Sequence, residues 1–133
     1  MPDSIEPAIR DLARGDNFAT IAVHLDDGSI ASHVMWVDAS DHHVLINTEV
    51  HRAKYRALQA NPVTTVTIWD RNDAYTYAEV RGRLVGEVRG PEARAHIDAL
   101  SRKYEGKDYD GDQIKSERVI LQIEPHRQRS RDL

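Results

Sequence analysis

Arg52 and Lys54 stand two residues apart in the run Glu49-Val50-His51-Arg52-Ala53-Lys54-Tyr55-Arg56, between a β-rich segment, Val44 to Thr48, and a short helical one closed by Asn61-Pro62. Cations at the first turn of a helix, just past the end of a strand, suit a phosphate. The leading backbone N–H groups of a helix lack internal partners, its dipole favours an anion there, and the side chains add charge-assisted hydrogen bonds. Residues two apart do not share a helix face, so Arg52 and Lys54 converge on one anion only at that first turn. On the residues alone a phosphate site and a solvated basic helix both remain open.

Other candidate chemistry is sparse. His42-His43 falls in a turn without a third ligand at useful spacing, so no metal site is expected. Asp26-Asp27 and the acidic stretch from Asp108 to Asp112 lack the ligand pattern of a calcium loop and read as solvated turns. There is no nucleophile-elbow context and no glycine-rich dinucleotide fingerprint. If the chain is an enzyme, a cofactor must supply the chemistry, with the protein orienting and shielding it.

Composition narrows the classes. The chain has 133 residues, 40% of them apolar, enough for one domain with a real core. Its 18 basic and 22 acidic residues give a net charge of −4, which argues against a nucleic-acid binder held by a general positive field. Any anion site must be local. The absence of cysteine excludes disulfides and thiolate metal sites. The opening Met-Pro-Asp-Ser-Ile-Glu-Pro has neither a basic region nor an apolar run, so a cytoplasmic protein is expected.

The elements that would position Arg52 and Lys54 follow from periodicity. Ile5, Ala8, Ile9, Leu12 and Ala13 lie at helical spacing within a lead helix over 1–15, with Gly15 as its stop. Phe18 to Leu25 and Ile30 to Val37 form a hairpin about Asp26-Asp27-Gly28. A turn from Asp38 to His42 leads to the strand Val44 to Thr48. After the basic helix come Val63 to Trp69 and a long strand from Tyr75 to Val88. There Ala78, Val80, Gly82, Leu84, Gly86 and Val88 share one face, the small residues marking a bend or close backbone approach. Gly90-Pro91-Glu92 opens a surface helix lined by Ala93, Ile97, Leu100 and Tyr104. Val119 to Ile123 is a buried strand that Pro125 stops, leaving 126–133 as a flexible tail. Six strands and two or three short helices predict a mainly β, antiparallel barrel in one domain over 1–133.

The order of these elements resembles the flavin-binding split β-barrel superfamily that includes pyridoxamine 5′-phosphate oxidase. It is most similar to small actinobacterial members that use the deazaflavin coenzyme F420 in place of FMN. The resemblance runs over nearly the whole chain: Thr-Ile-Ala-Val, the Asp-Gly turn, Ser-His-Val-Met-Trp-Val, Val-Leu-Ile-Asn-Thr, Arg-Ala-Lys, Asn-Pro and Tyr-Thr-Tyr-Ala-Glu-Val-Arg-Gly-Arg. It implies a six-stranded Greek-key split barrel that forms a homodimer, with each cofactor in a groove between subunits.

The resemblance also implies roles. Arg52 and Lys54 match the phosphate-binding pair, and Asn47 and Thr48 match a strand end beside the ribityl chain. Ser32, His33 and Val34 match the strand running along the ring, and Tyr75 and Tyr77 match aromatic positions near the pocket. His33, read from its strand alone, is equally a packed side chain; Trp36 and Trp69 read as core or interface aromatics. The substrate-gripping Arg and extended C-terminal segment of pyridoxamine 5′-phosphate oxidase have no counterpart after Ile123, so vitamin B6 oxidation is not implied. What is implied is an oxidoreductase in which F420, or alternatively FMN, reduces a conjugated or heteroaromatic small molecule. A non-catalytic carrier or sensor of a flavin or tetrapyrrole is the alternative from another class.

Overall fold

A computed structural model describes residues 4–133; the first three residues of the expected lead segment lie outside it. Its strands are β1 (Phe18–His24), β2 (Ile30–Trp36), β3 (Asp38–Ala39), β4 (Val44–Glu49), β5 (Val63–Asp70), β6 (Asp73–Arg89) and β7 (Arg118–Arg131). The helices are α1 (Pro7–Arg14), α2 (Ala53–Ala60) and α3 (Pro91–Glu105). All strands join one antiparallel sheet in the order β2-β1-β5-β6-β7-β4-β3. The two edge strands, β2 and β3, are separated in the chain by Val37 alone, so covalent continuity draws the edges of the sheet together into a split β-barrel.

Alternation along each strand turns one face inward. Ala19, Ile21 and Val23 of β1, Val44 and Ile46 of β4, Val66 and Ile68 of β5, Ala78 and Val80 of β6, and Leu121 and Ile123 of β7 are enclosed in one core. Ile9, Leu12 and Ala13 of α1 and Leu58 of α2 plug its ends. No helix among the described residues is long and apolar enough to cross a membrane.

Two expectations change. The barrel has seven strands rather than six, because Asp38 and Ala39, expected in a turn, pair with Leu45 and Val44. More consequentially, β7 does not stop at Pro125, and most of the expected flexible tail is strand through Arg131. Pro125 sits opposite Gly82, at a register shift and beyond the last pair made by β4, Val44 with Ile123. At a bulge on a one-sided edge a missing N–H is tolerated. The end of β7 is also fastened across the molecule: the Glu6 N–H donates to Gln128 Oε1 (2.8 Å), and Gln128 Nε2 donates to the Ser4 carbonyl (2.8 Å).

The small residues of β6 do mark a close approach. Register shifts fall between Arg81 and Gly82 and between Leu84 and Gly86, and a Cβ on Gly82 would lie 1.9 Å from the Glu124 carbonyl oxygen. That neighbour is backbone and cannot swing aside. Gly82→Ala is expected to destabilise the fold by about 2 kcal/mol or more through forced strand displacement, read as a lowered midpoint in urea unfolding.

Candidate functional site

β4 ends at Glu49, and after two turn residues the chain enters α2. The Arg52 N–H donates to the Glu49 carbonyl (3.0 Å), which sets Arg52 as the N-cap and Lys54 in the first turn. No side chain caps the helix, so its leading N–H groups keep the anion-attracting character expected of a bare helix start. Arg52 and Lys54 both line a single cavity of about 300 Å³, together with Asn47 and Thr48 of β4, Met35 and Trp36 of β2, Tyr109 and Gln113 of the loop after α3, and Arg118 at the head of β7. The convergence that their spacing permits only at a first turn is therefore realised.

A buried carboxylate organises this corner. The Glu49 side chain is fully enclosed; Oε1 accepts the N–H groups of Lys115 (2.6 Å) and Ser116 (2.8 Å), and Oε2 lies 3.4 Å from Arg118 Nη1 and 3.8 Å from Arg52 Nη2. Burial alone would raise this carboxyl, but the two N–H donors and the charges of Arg118 and His51 outweigh it and hold it below its ordinary value. Lys54 is treated differently. Burial, then the charges of Arg52 and Arg118, push its ammonium below the ordinary lysine value, with no acid offsetting them. Three cations thus share a corner that encloses one carboxylate, and the excess positive charge faces the cavity.

The opposite wall is built from α3 and aromatic rings. Trp36 stacks on Tyr104 at 5.1 Å with an interplanar angle of 7°, Tyr104 stacks on Phe18 at 5.6 Å, and Tyr109 meets Trp36 edge-on at 6.3 Å. The Tyr104 hydroxyl donates to the Asn17 carbonyl and accepts the Val37 N–H (3.2 Å); burial above all pushes it up to about 12, so it stays protonated. Lys103 Nζ donates to the Val37 carbonyl (2.7 Å), tying α3 to the corner between the edge strands. Arg118 closes the row, its guanidinium 5.2 Å from the centre of the Tyr109 ring.

The family model for pyridoxamine 5′-phosphate oxidase matches residues 5–132. The chain belongs to this family. A search of curated proteins gives no match. Among solved structures, this oxidase-family chain is similar to an F420 reductase, with 25% identity, a TM-score of 0.80, and 94% of this chain and 98% of that one covered. A conserved hypothetical protein from Mycobacterium tuberculosis aligns at 25% identity and TM-score 0.72, covering 98% and 86% of the two chains. A pyridoxamine 5′-phosphate oxidase-related, FMN-binding protein from Nostoc punctiforme shares the fold at 15% identity and TM-score 0.61, covering 87% and 72%.

Of the residues singled out in the sequence of this family member, Asn47, Thr48, Arg52 and Lys54 come together at the cavity. Ser32, His33, Val34, Tyr75 and Tyr77 do not line it. Ser32 and Val34 point out from the edge strand β2, with Val34 66% exposed, and Tyr75 is 70% exposed beneath Arg131. His33 turns to the other side of β2, where its enclosed Nδ1 has no partner among the described residues. Arg118 is the residue that sequence reasoning missed, although a lone arginine opening the buried run Val-Ile-Leu was a visible signal. Its partners in the site are contributed by distant segments.

Removing the enclosed charge tests this arrangement. Glu49→Gln leaves Arg118 buried without its counter-ion and is expected to cost about 3 kcal/mol of stability. Because the carboxyl is held below its ordinary value of 4.5 when folded, its contribution is present above that value and lost as pH falls through the lowered one. Urea unfolding of wild type and Glu49→Gln should therefore differ at pH 7 and converge under acid.

Proposed function

We propose that this family member is an oxidoreductase that holds coenzyme F420, with FMN as the alternative occupant, by clasping a phosphate in the Arg52–Lys54–Arg118 cavity. The observation that carries the reading is the convergence of Arg52, Lys54 and Arg118, against the single lining carboxylate of Glu105, on one cavity at the uncapped start of α2. The donor set fits a phosphate on chemical grounds, combining planar guanidinium forks with an ammonium and a bare helix start. The choice of F420 over FMN is supported by the similarity to the F420 reductase at 25% identity, against 15% for the FMN-binding relative.

The reaction proposed is two-electron reduction of a conjugated or heteroaromatic small molecule, the hydride chemistry being what the coenzyme supplies when bound. The chain's own contribution is binding, orientation and exclusion of water. Arg52, Lys54 and Arg118 fix the anionic end, and Trp36 and Tyr109 give the cavity a flat, apolar wall. At about 300 Å³ the cavity suits the phosphate end of such a molecule rather than the whole of it. A homodimer completes the proposal. The exposed Ile30, Ser32 and Val34 of β2 then border a groove between two subunits that receives the ring, with Tyr75 and Tyr77 at its rim and His33 behind the strand.

Titration with F420 and with FMN, read by quenching of tryptophan fluorescence, tests the reading. Saturable binding of one of them is expected. Lys54→Ala should weaken it about tenfold, equivalent to ~1.4 kcal/mol, while Arg56→Ala, one turn beyond Arg52 and not lining the cavity, should leave it unchanged. Sedimentation equilibrium should return a dimer. Absence of binding to both coenzymes would overturn the proposal.

A further inference from the structure

Asn47 lines the cavity, yet its amide is committed elsewhere. Nδ2 donates to the Ala93 carbonyl (3.0 Å) and lies 3.0 Å from His96 Nδ1, while Oδ1 accepts from Arg118 Nε (2.9 Å). On its other side, His96 Nε2 lies 3.0 Å from Asp38 Oδ2. Two of these partners are chemically one-way: a backbone carbonyl only accepts, and an arginine Nε–H only donates. They fix which end of the Asn47 amide points where. His96 Nδ1 must then accept, and the ring proton must sit on Nε2, donating to Asp38.

The result is a head-to-tail row of donors. Arg118 gives to Asn47, Asn47 to His96, and His96 to Asp38, a cation and a carboxylate being joined through two neutral groups that polarise in the same sense. Burial would raise the Asp38 carboxyl, but the hydrogen bonds from His96 and from the Ala39 N–H hold it low, so the row ends on a carboxylate. At the other end Arg118 is gripped along its Nε edge by Asn47, at Nη1 by Glu49, and over its face by Tyr109. With three sides held, its guanidinium plane is set before any ligand arrives.

We propose that His96 is a positioning residue for this cavity: by fixing the Asn47 amide it sets the Arg118 guanidinium that faces the bound anion. The inference rests on the reading of the cavity as an anion site. Without an acceptor at Nδ1, the second Asn47 N–H loses its partner; the amide keeps its orientation but is held on that side by the Ala93 carbonyl alone, and the slack passes through Oδ1 to the Arg118 guanidinium.

The probe is inorganic phosphate, followed by tryptophan fluorescence, since Trp36 lines the cavity. His96→Asn places an amide oxygen where Nδ1 stood and is expected to bind phosphate within about twofold of wild type; His96→Gln leaves that position empty and should weaken binding about fivefold or more. In an Arg118→Lys background, which lacks the Nε–H, His96→Gln should add nothing. Equal weakening by both His96 variants, no weakening by either, or full additivity with Arg118→Lys would overturn the inference. A reading that needs no variant is the ¹⁵N spectrum of the wild-type histidines: His96 protonated on Nε2 supports the proposal, and protonation on Nδ1 overturns it. If Lys54→Ala leaves phosphate binding intact, the anion reading itself fails and takes this inference with it; if Lys54→Ala abolishes binding while the His96 variants are silent, only the positioning role fails.

Discussion

The site depends on one enclosed negative charge. Glu49 stands where β4 runs out, and its carboxylate holds three things that the chain supplies separately: the guanidinium of Arg118 from β7, that of Arg52 from the start of α2, and the N–H groups of Lys115 and Ser116. Such a carboxylate is costly to bury, and here Oε1 takes two backbone donors while Oε2, without a hydrogen bond among the described residues, is offset by the charges of Arg118 at 3.4 Å and Arg52 at 3.8 Å. It neutralises part of the local positive charge and leaves the remainder, centred on Lys54, directed at the cavity. Without it the three cations would repel one another with no neighbouring charge to offset them at this corner.

The rest of the architecture serves to keep that corner stiff. Tyr104 and Lys103 lock α3 onto the backbone around Val37, where β2 passes into β3, and the stacked rings of Phe18, Tyr104 and Trp36 carry rigidity from the outer face of β1 to the cavity wall. The loop after α3 is fastened at both ends of its span: the Tyr109 N–H donates to Asp98 at 3.0 Å, and Glu49 accepts from Lys115 and Ser116. A preformed cavity lined by cations gains from such bracing, because every side chain not ordered in advance must be ordered at the expense of ligand affinity.

What the sequence made legible was local. A strand, a basic first turn and Asn61-Pro62 lie within a few residues of each other, so the Arg52–Lys54 corner followed from short-range rules, as did the β1–β2 hairpin and the glycine-marked bend in β6. Arg118 was hidden because its meaning comes from Asn47, 71 residues earlier in the chain. His96 was hidden similarly, a polar residue on a helix until Asp38 and Asn47 are brought against it. Pro125 misled because a proline normally ends a strand, and only the register shift opposite Gly82 explains why this one does not. Ser32, His33 and Val34 sit earlier along β2 than Met35 and Trp36, which alone of that strand reach the cavity, so a match to the strand as a whole did not say which of its residues line the site.

The pairing of β4 with β7 carries a consequence for how the protein comes into being. Asn47 and Thr48 meet Ile120 and Val119 across that ladder, so the centre of the molecule is closed by its last strand. While the chain is being synthesised, the hairpin and α2 can emerge and begin to order, but the guanidinium that completes the pocket and the strand that seals the barrel are still inside the ribosome. Non-local closure of this kind slows folding and leaves apolar strands waiting for their neighbour. A nascent chain therefore lacks the cavity that Arg118 completes, and it crosses its most aggregation-exposed interval with the barrel still open.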